Sequence, residues 1–182
     1  ISNNKSIQIT KQKLNFNLKQ VFSLLSTGSI YLDIEENVTL KENIILTKEI
    51  YNSNSQYFNL KKKNNFNGNG YTIIIKDWDN YPGIFNIDEQ YLDNDIENIE
   101  FYPVIRNINI TLNNSNLEDL GGGFLQKNCR FFIIKNCSFN GNISADHSGG
   151  ICGNNSGFQN GRIYIYNYFS NGIISGKFSG GI

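Results

Sequence analysis

Ile134-Lys135-Asn136-Cys137 returns as Ile165-Tyr166-Asn167-Tyr168, and the reading of that pair decides the fold. Working backwards, Ile105-Arg106-Asn107-Ile108 precedes the first of them by nearly the same step, and Ile75-Lys76-Asp77-Trp78 precedes that by another. Two further registers agree. Gly122-Gly123-Phe124 recurs as Gly149-Gly150-Ile151 and Gly180-Gly181-Ile182. Phe139-Asn140-Gly141-Asn142-Ile143-Ser144 recurs, one residue longer, as Phe169-Ser170-Asn171-Gly172-Ile173-Ile174-Ser175. Self-similarity at a fixed period marks a stacked-repeat architecture.

Each unit holds short runs of β-branched and aromatic residues (71–75, 105–112, 131–139, 163–169) separated by Gly and Asn. That is strand punctuation, and nothing in 60–182 has a helical period. Units of about thirty residues with two or three strands and no helix are the coils of a right-handed parallel β-helix, an all-β solenoid. The Asn after each Ile-Lys or Ile-Arg pair can take the left-handed conformation of a sharp bend, which costs most residues about 1–2 kcal/mol. Coils in register put equivalent positions one above another, about 4.8 Å apart. The reading therefore predicts a side-chain ladder of Asp77, Asn107, Asn136 and Asn167, and one inward row of Ile75, Ile105, Ile134 and Ile165.

Residues 1–60 read as an N-terminal cap and first coil, and 61–182 as the repeats. Leu18, Val21, Phe22 and Leu25 follow i, i+3, i+4, i+7 spacing, which predicts a short amphipathic helix over 17–26 that stops at Gly28. Strands over 30–34, 38–40 and 44–46 are expected to form the first coil. The sequence stops inside a unit and begins with Ile, with no Met anywhere. It is expected to be processed or part of something longer, and to continue beyond Ile182.

The 16 basic and 16 acidic side chains cancel, so composition predicts no field drawing the chain to nucleic acid or anionic lipid. No apolar run reaches the roughly 18–20 residues that span a bilayer. Cys129, Cys137 and Cys152 are odd in number and lack CxxC spacing, which argues against a metal site or a disulfide framework. Buried free thiols are expected, with a 129–137 or 137–152 bond left open. The wealth of Asn, Ile and Lys fits AT-rich coding.

Asp88, Glu89, Asp93, Asp95, Glu97 and Glu100 fall in an insertion after Phe85 that departs from the repeat. A solvated or partner-binding loop, a calcium site and catalytic carboxylates all stay open there. The alternate acids of 93–97 lack the Gly and distal Glu of a calcium loop, and hydrolysis would need carboxylates about 5–9 Å apart. His147 follows Asp146 but has no legible nucleophile beside it. Arg106, Arg130 and Arg162 fall on successive coils. Tyr164, Tyr166 and Tyr168 alternate along a strand, which predicts an outward aromatic face for a glycan or a protein partner. No catalytic residue, cofactor or metal is expected.

Phe66-Asn67-Gly68-Asn69-Gly70-Tyr71-Thr72-Ile73 resembles the opening of Gly-rich right-handed β-helix proteins, and Ser148-Gly149-Gly150-Ile151-Cys152-Gly153-Asn154-Asn155-Ser156-Gly157 resembles the unit of GLUG-type repeats. The resemblance runs from about residue 66 to the end; Cys152 and Phe158 depart from the bacterial pattern. Such repeats occur in bacterial adhesins and in giant DNA viruses of protists. What the resemblance implies is a non-enzymatic structural protein of a virus particle, in its capsid, vertex or fibre. Its partners would be other virion proteins or further copies of itself. A carbohydrate-binding adhesin at the cell surface is the alternative, with a polysaccharide lyase or hydrolase behind it. Neither a nucleic-acid partner nor a membrane span is expected.

Overall fold

A computed structural model describes residues 28–32, 37–48, 58–61, 63–87, 98–158 and 161–182. The helix expected over 17–26 lies outside them. The described strands are β1 (Ile30–Leu32), β2 (Val38–Leu40), β3 (Ile44–Thr47), β4 (Phe58–Leu60), β5 (Asn65–Asn67), β6 (Thr72–Lys76), β7 (Phe85–Ile87), β8 (Val104–Arg106), β9 (Asn109–Asn113), β10 (Phe131–Asn140) and β11 (Arg162–Asn171). Ile99–Phe101 forms a 3-10 turn. The strands wind into an all-β parallel solenoid of about four turns.

On the first side, β2, β5, β8 and the leading halves of β10 and β11 pair in parallel; on the second, β3, β6, β9 and the trailing halves do so. The third side is narrower. There β4 pairs with β7, and the column continues through bridges from Phe85 to Leu125 and from Leu125 to Cys152. β1 departs from the expected first coil: it lies antiparallel to β2 and so occupies that strand's outer edge, satisfying backbone groups that no earlier parallel coil covers.

The inward row of the first side is Val38, Phe66, Ile105, Ile134 and Ile165. The first four are fully buried, worth roughly 1.5–3 kcal/mol each in apolar transfer. Ile75 is not in this row, which corrects the expectation; it stacks between Leu46 and Leu112 on the second side. The reason is the length of one coil. Of the steps along the row, the one from Phe66 to Ile105 is by far the longest, and the others are nearly equal. The insertion after Phe85 lengthens that coil. The interval from Ile75 to Ile105 matches the repeat, yet it joins different sides of neighbouring coils. Phe66 meets Phe58 and Phe85 edge-on, with centroids 4.9 and 4.8 Å apart, the arrangement aromatic quadrupoles favour.

The same offset takes Asp77 out of the ladder. The rungs are Asn67, Asn107, Asn136 and Asn167. Each Nδ2 donates to the Oδ1 of the rung before it, at 3.1, 3.2 and 3.0 Å. Asn107, Asn136 and Asn167 have φ of 53°, 54° and 50°, so the amide that tolerates the bend also ties the coils together. Asp77, with φ 51°, marks the next corner and accepts a hydrogen bond from Asn114 Nδ2 at 2.7 Å. Asn136→Ala removes two rungs and places a Cβ-bearing residue without a local hydrogen bond at positive φ. The expected loss is about 2–3 kcal/mol in urea unfolding. Asn136→Gly, which keeps the backbone freedom, is expected to lose roughly 1 kcal/mol less; equal losses would mean the bend is not what selects Asn.

Candidate functional site

Asn167 is the hinge of β11 and decides which tyrosines face out. Strand alternation puts Arg162, Tyr164 and Tyr166 on the outer side, but the left-handed residue at 167 breaks the period of two. Tyr168 therefore turns inward, as Ile108 and Cys137 do after Asn107 and Asn136 on the coils below, and both of those are buried. Tyr168 packs edge-on against Phe124 at 6.2 Å, and burial pushes the pKa of its hydroxyl up. Of the three tyrosines expected on one outward face, Tyr168 is thus a core residue. Tyr164 and Tyr166 remain outside with parallel rings 6.5 Å apart, and Tyr164 also meets Tyr102 at 6.0 Å. Asp88, Glu89, Asp93, Asp95 and Glu97 lie outside the described residues.

Register assembles a cationic strip of Arg106, Lys135 and Arg162, in which sequence reading places the two arginines on successive coils but misses Lys135. Arg106 lies directly opposite Lys135, and Lys135 opposite Tyr166. Arg162 stands opposite Phe131, whose ring meets Tyr102 at 5.2 Å. Apart from Glu42 and Glu100, the described acids gather at other corners: Asp77 and Asp79 at the second, Glu118, Asp119 and Asp146 at the third. A net charge of zero thus conceals a segregated surface. The signal is available in the repeat, since Arg106 and Lys135 both precede the corner Asn, but composition averages it away.

The third corner carries the histidine. Leu120, His147 and Phe178 all have positive φ (69°, 54° and 56°), an unusual conformation for Leu and Phe. The His147 and Phe178 rings stack at 5.0 Å. They border a groove with Ser148, Cys152, Asn154 and Ser156. Two of the potential nucleophiles there are spent or silenced, whereas the Ser156 Oγ is buried without a hydrogen-bond partner. Ser148 Oγ donates to the carbonyls of Glu118 and Asp146, at 3.0 and 3.1 Å. Burial pushes the Cys152 thiol up to about 12, so at neutral pH it is a thiol and not a thiolate. Burial likewise pushes Cys137 up to about 11, and all three cysteines are free, which closes the disulfide alternative.

Asp119 and Asp146 are carboxylates on neighbouring coils, the placement hydrolysis would require. Each lends one oxygen to the stack: Asp119 Oδ1 accepts from the Asp146 N–H at 3.0 Å, and Asp146 Oδ1 from the Lys177 N–H at 2.8 Å. At the second corner Ser115 Oγ donates to the Ile75 carbonyl at 3.0 Å. Among the described residues no group of three or more His, Cys, Asp or Glu side chains could hold a metal ion. Nor, among those residues, is any helix long and apolar enough to cross a membrane. The arrangement presents side chains in rows at the pitch of the coils. No protein-family model matches the chain, and neither a curated protein nor a solved structure matches it.

Proposed function

We propose that this chain is a non-enzymatic structural module of a virus particle, in a capsid, vertex or fibre, and that it works by assembly. One observation carries the reading: polar groups that a hydrolase would turn toward substrate are spent on holding coil to coil. Asp119, Asp146, Ser115 and Ser148 all bond backbone atoms of a neighbouring coil, and the Asn side chains bond one another. Such a molecule is a stiff rod with addressable sides. The viral setting rests on the resemblance of residues 66–73 and 148–157 taken together with the Asn-, Ile- and Lys-rich composition.

Mass spectrometry of purified particles is expected to recover peptides of this chain in amounts comparable to other shell proteins. Cross-linking should place it against protein neighbours across an interface above roughly 1,000 Å². Its absence from particles, or shortening of a polysaccharide by the purified protein, would overturn the proposal.

A further inference from the structure

We infer that the outer side of β8, β10 and β11, built on Arg106, Lys135, Arg162, Tyr164 and Tyr166, is a docking surface for an acidic polysaccharide. The inference stands apart from the viral reading, since it concerns what the side of the rod binds and not where the rod is used. Three features meet on this side. Arg106 and Lys135 are like charges directly opposite one another on paired strands, a placement that works against folding. The three cations have no acidic partner among the described residues, the nearest described acid in sequence being Glu100 on the loop before β8. The Arg106 Nε is buried without a hydrogen-bond partner, a further cost to the free protein. An anion bound over the strip relieves the repulsion.

The second feature is the pair of parallel tyrosine rings, with Tyr166 49% exposed beside Lys135. Flat rings of this kind accept the apolar face of a sugar. The third is the amide ladder. Asn107, Asn136 and Asn167 directly follow Arg106, Lys135 and Tyr166 in the chain, and each spends one of its two amide N–H groups on the rung below. The second N–H remains to donate to a hydroxyl, and the donors recur at the strand spacing of about 4.8 Å. Cations for carboxylates or sulfates, rings for sugar faces and amides for hydroxyls together describe a charged glycan. A nucleic acid is favoured less. Its binding rests on many phosphate contacts along a basic track, and here three cations stand among neutral groups.

The test is calorimetric titration of the purified chain with polygalacturonate, at low and at physiological ionic strength. The expected result is saturable binding that weakens as salt rises. Arg106→Gln with Lys135→Gln is expected to weaken it at least about tenfold, and Tyr166→Ala about tenfold. Asp146→Asn, at the third corner, is expected to change nothing. The double glutamine variant should also unfold at a urea concentration no lower than the parent, because the repulsion it removes is a burden there. No binding at low salt would overturn the inference, as would undiminished binding by both the double variant and Tyr166→Ala. Tighter binding of a single-stranded oligothymidylate than of polygalacturonate would overturn it in favour of nucleic acid.

Discussion

Ile134→Asp is expected to abolish the cooperative unfolding transition at neutral pH and to leave the chain without its strand signal in circular dichroism. Ile134 is fully buried and lies in register between Ile105 and Ile165, so the new carboxylate would sit among isoleucines with no cation to meet it. Burying an unpaired charge costs more than the roughly 5–15 kcal/mol by which a domain is stable, and taking up a proton only converts the charge into an unsatisfied polar group. Two controls separate chemistry from position. Ile134→Val, which trims one methyl group, should cost about 0.5–1.5 kcal/mol. Lys135→Ser, one residue along and facing out, should stay within about 0.5 kcal/mol. A folded Ile134→Asp protein with the parent's melting temperature would mean that this row does not line the core.

Why sequence places residue 134 correctly, and residue 75 not, comes down to coil length. The two coils that separate Ile105, Ile134 and Ile165 are so nearly equal that the three align by eye. The coil with the insertion is longer, and an interval that matches the repeat then points to a false partner. The true one, Phe66, stands further back, beside an Asn67 that does join the ladder. Tyr168 escapes sequence reading for a different reason. Period-two alternation holds only along continuous β backbone, and β11 passes through a left-handed residue at Asn167 on the way. The corner Asn residues are readable because their backbone requirement is local. The cationic strip is legible in the repeat, where Arg106 and Lys135 each precede a corner Asn on coils of nearly equal length, but a net charge of zero averages it against acids at other corners.

The glycine column tests that register most severely. Gly122, Gly149 and Gly180 bridge one another in sequence along the narrow part of the coil, and none has a positive φ, so conformational freedom does not explain them. Space does. A Cβ on Gly122 would come within 2.4 Å of the Gly153 nitrogen and 2.5 Å of the Cys152 carbonyl carbon, and one on Gly149 within 2.5 Å of the Cys152 and Ile182 oxygens. All of these are backbone atoms, which cannot yield without pulling the neighbouring coil apart. Gly122→Ala is therefore expected to cost about 3 kcal/mol or more, the upper range for overpacking. Gly70→Ala supplies the contrasting case: its Cβ would meet nothing within 4 Å, but φ is +84°, so strain alone should cost about 1–2 kcal/mol. Urea unfolding should show a larger loss for Gly122→Ala than for Gly70→Ala. A silent Gly122→Ala would mean that the coils do not approach at that column, and the solenoid would have to be rebuilt in another register.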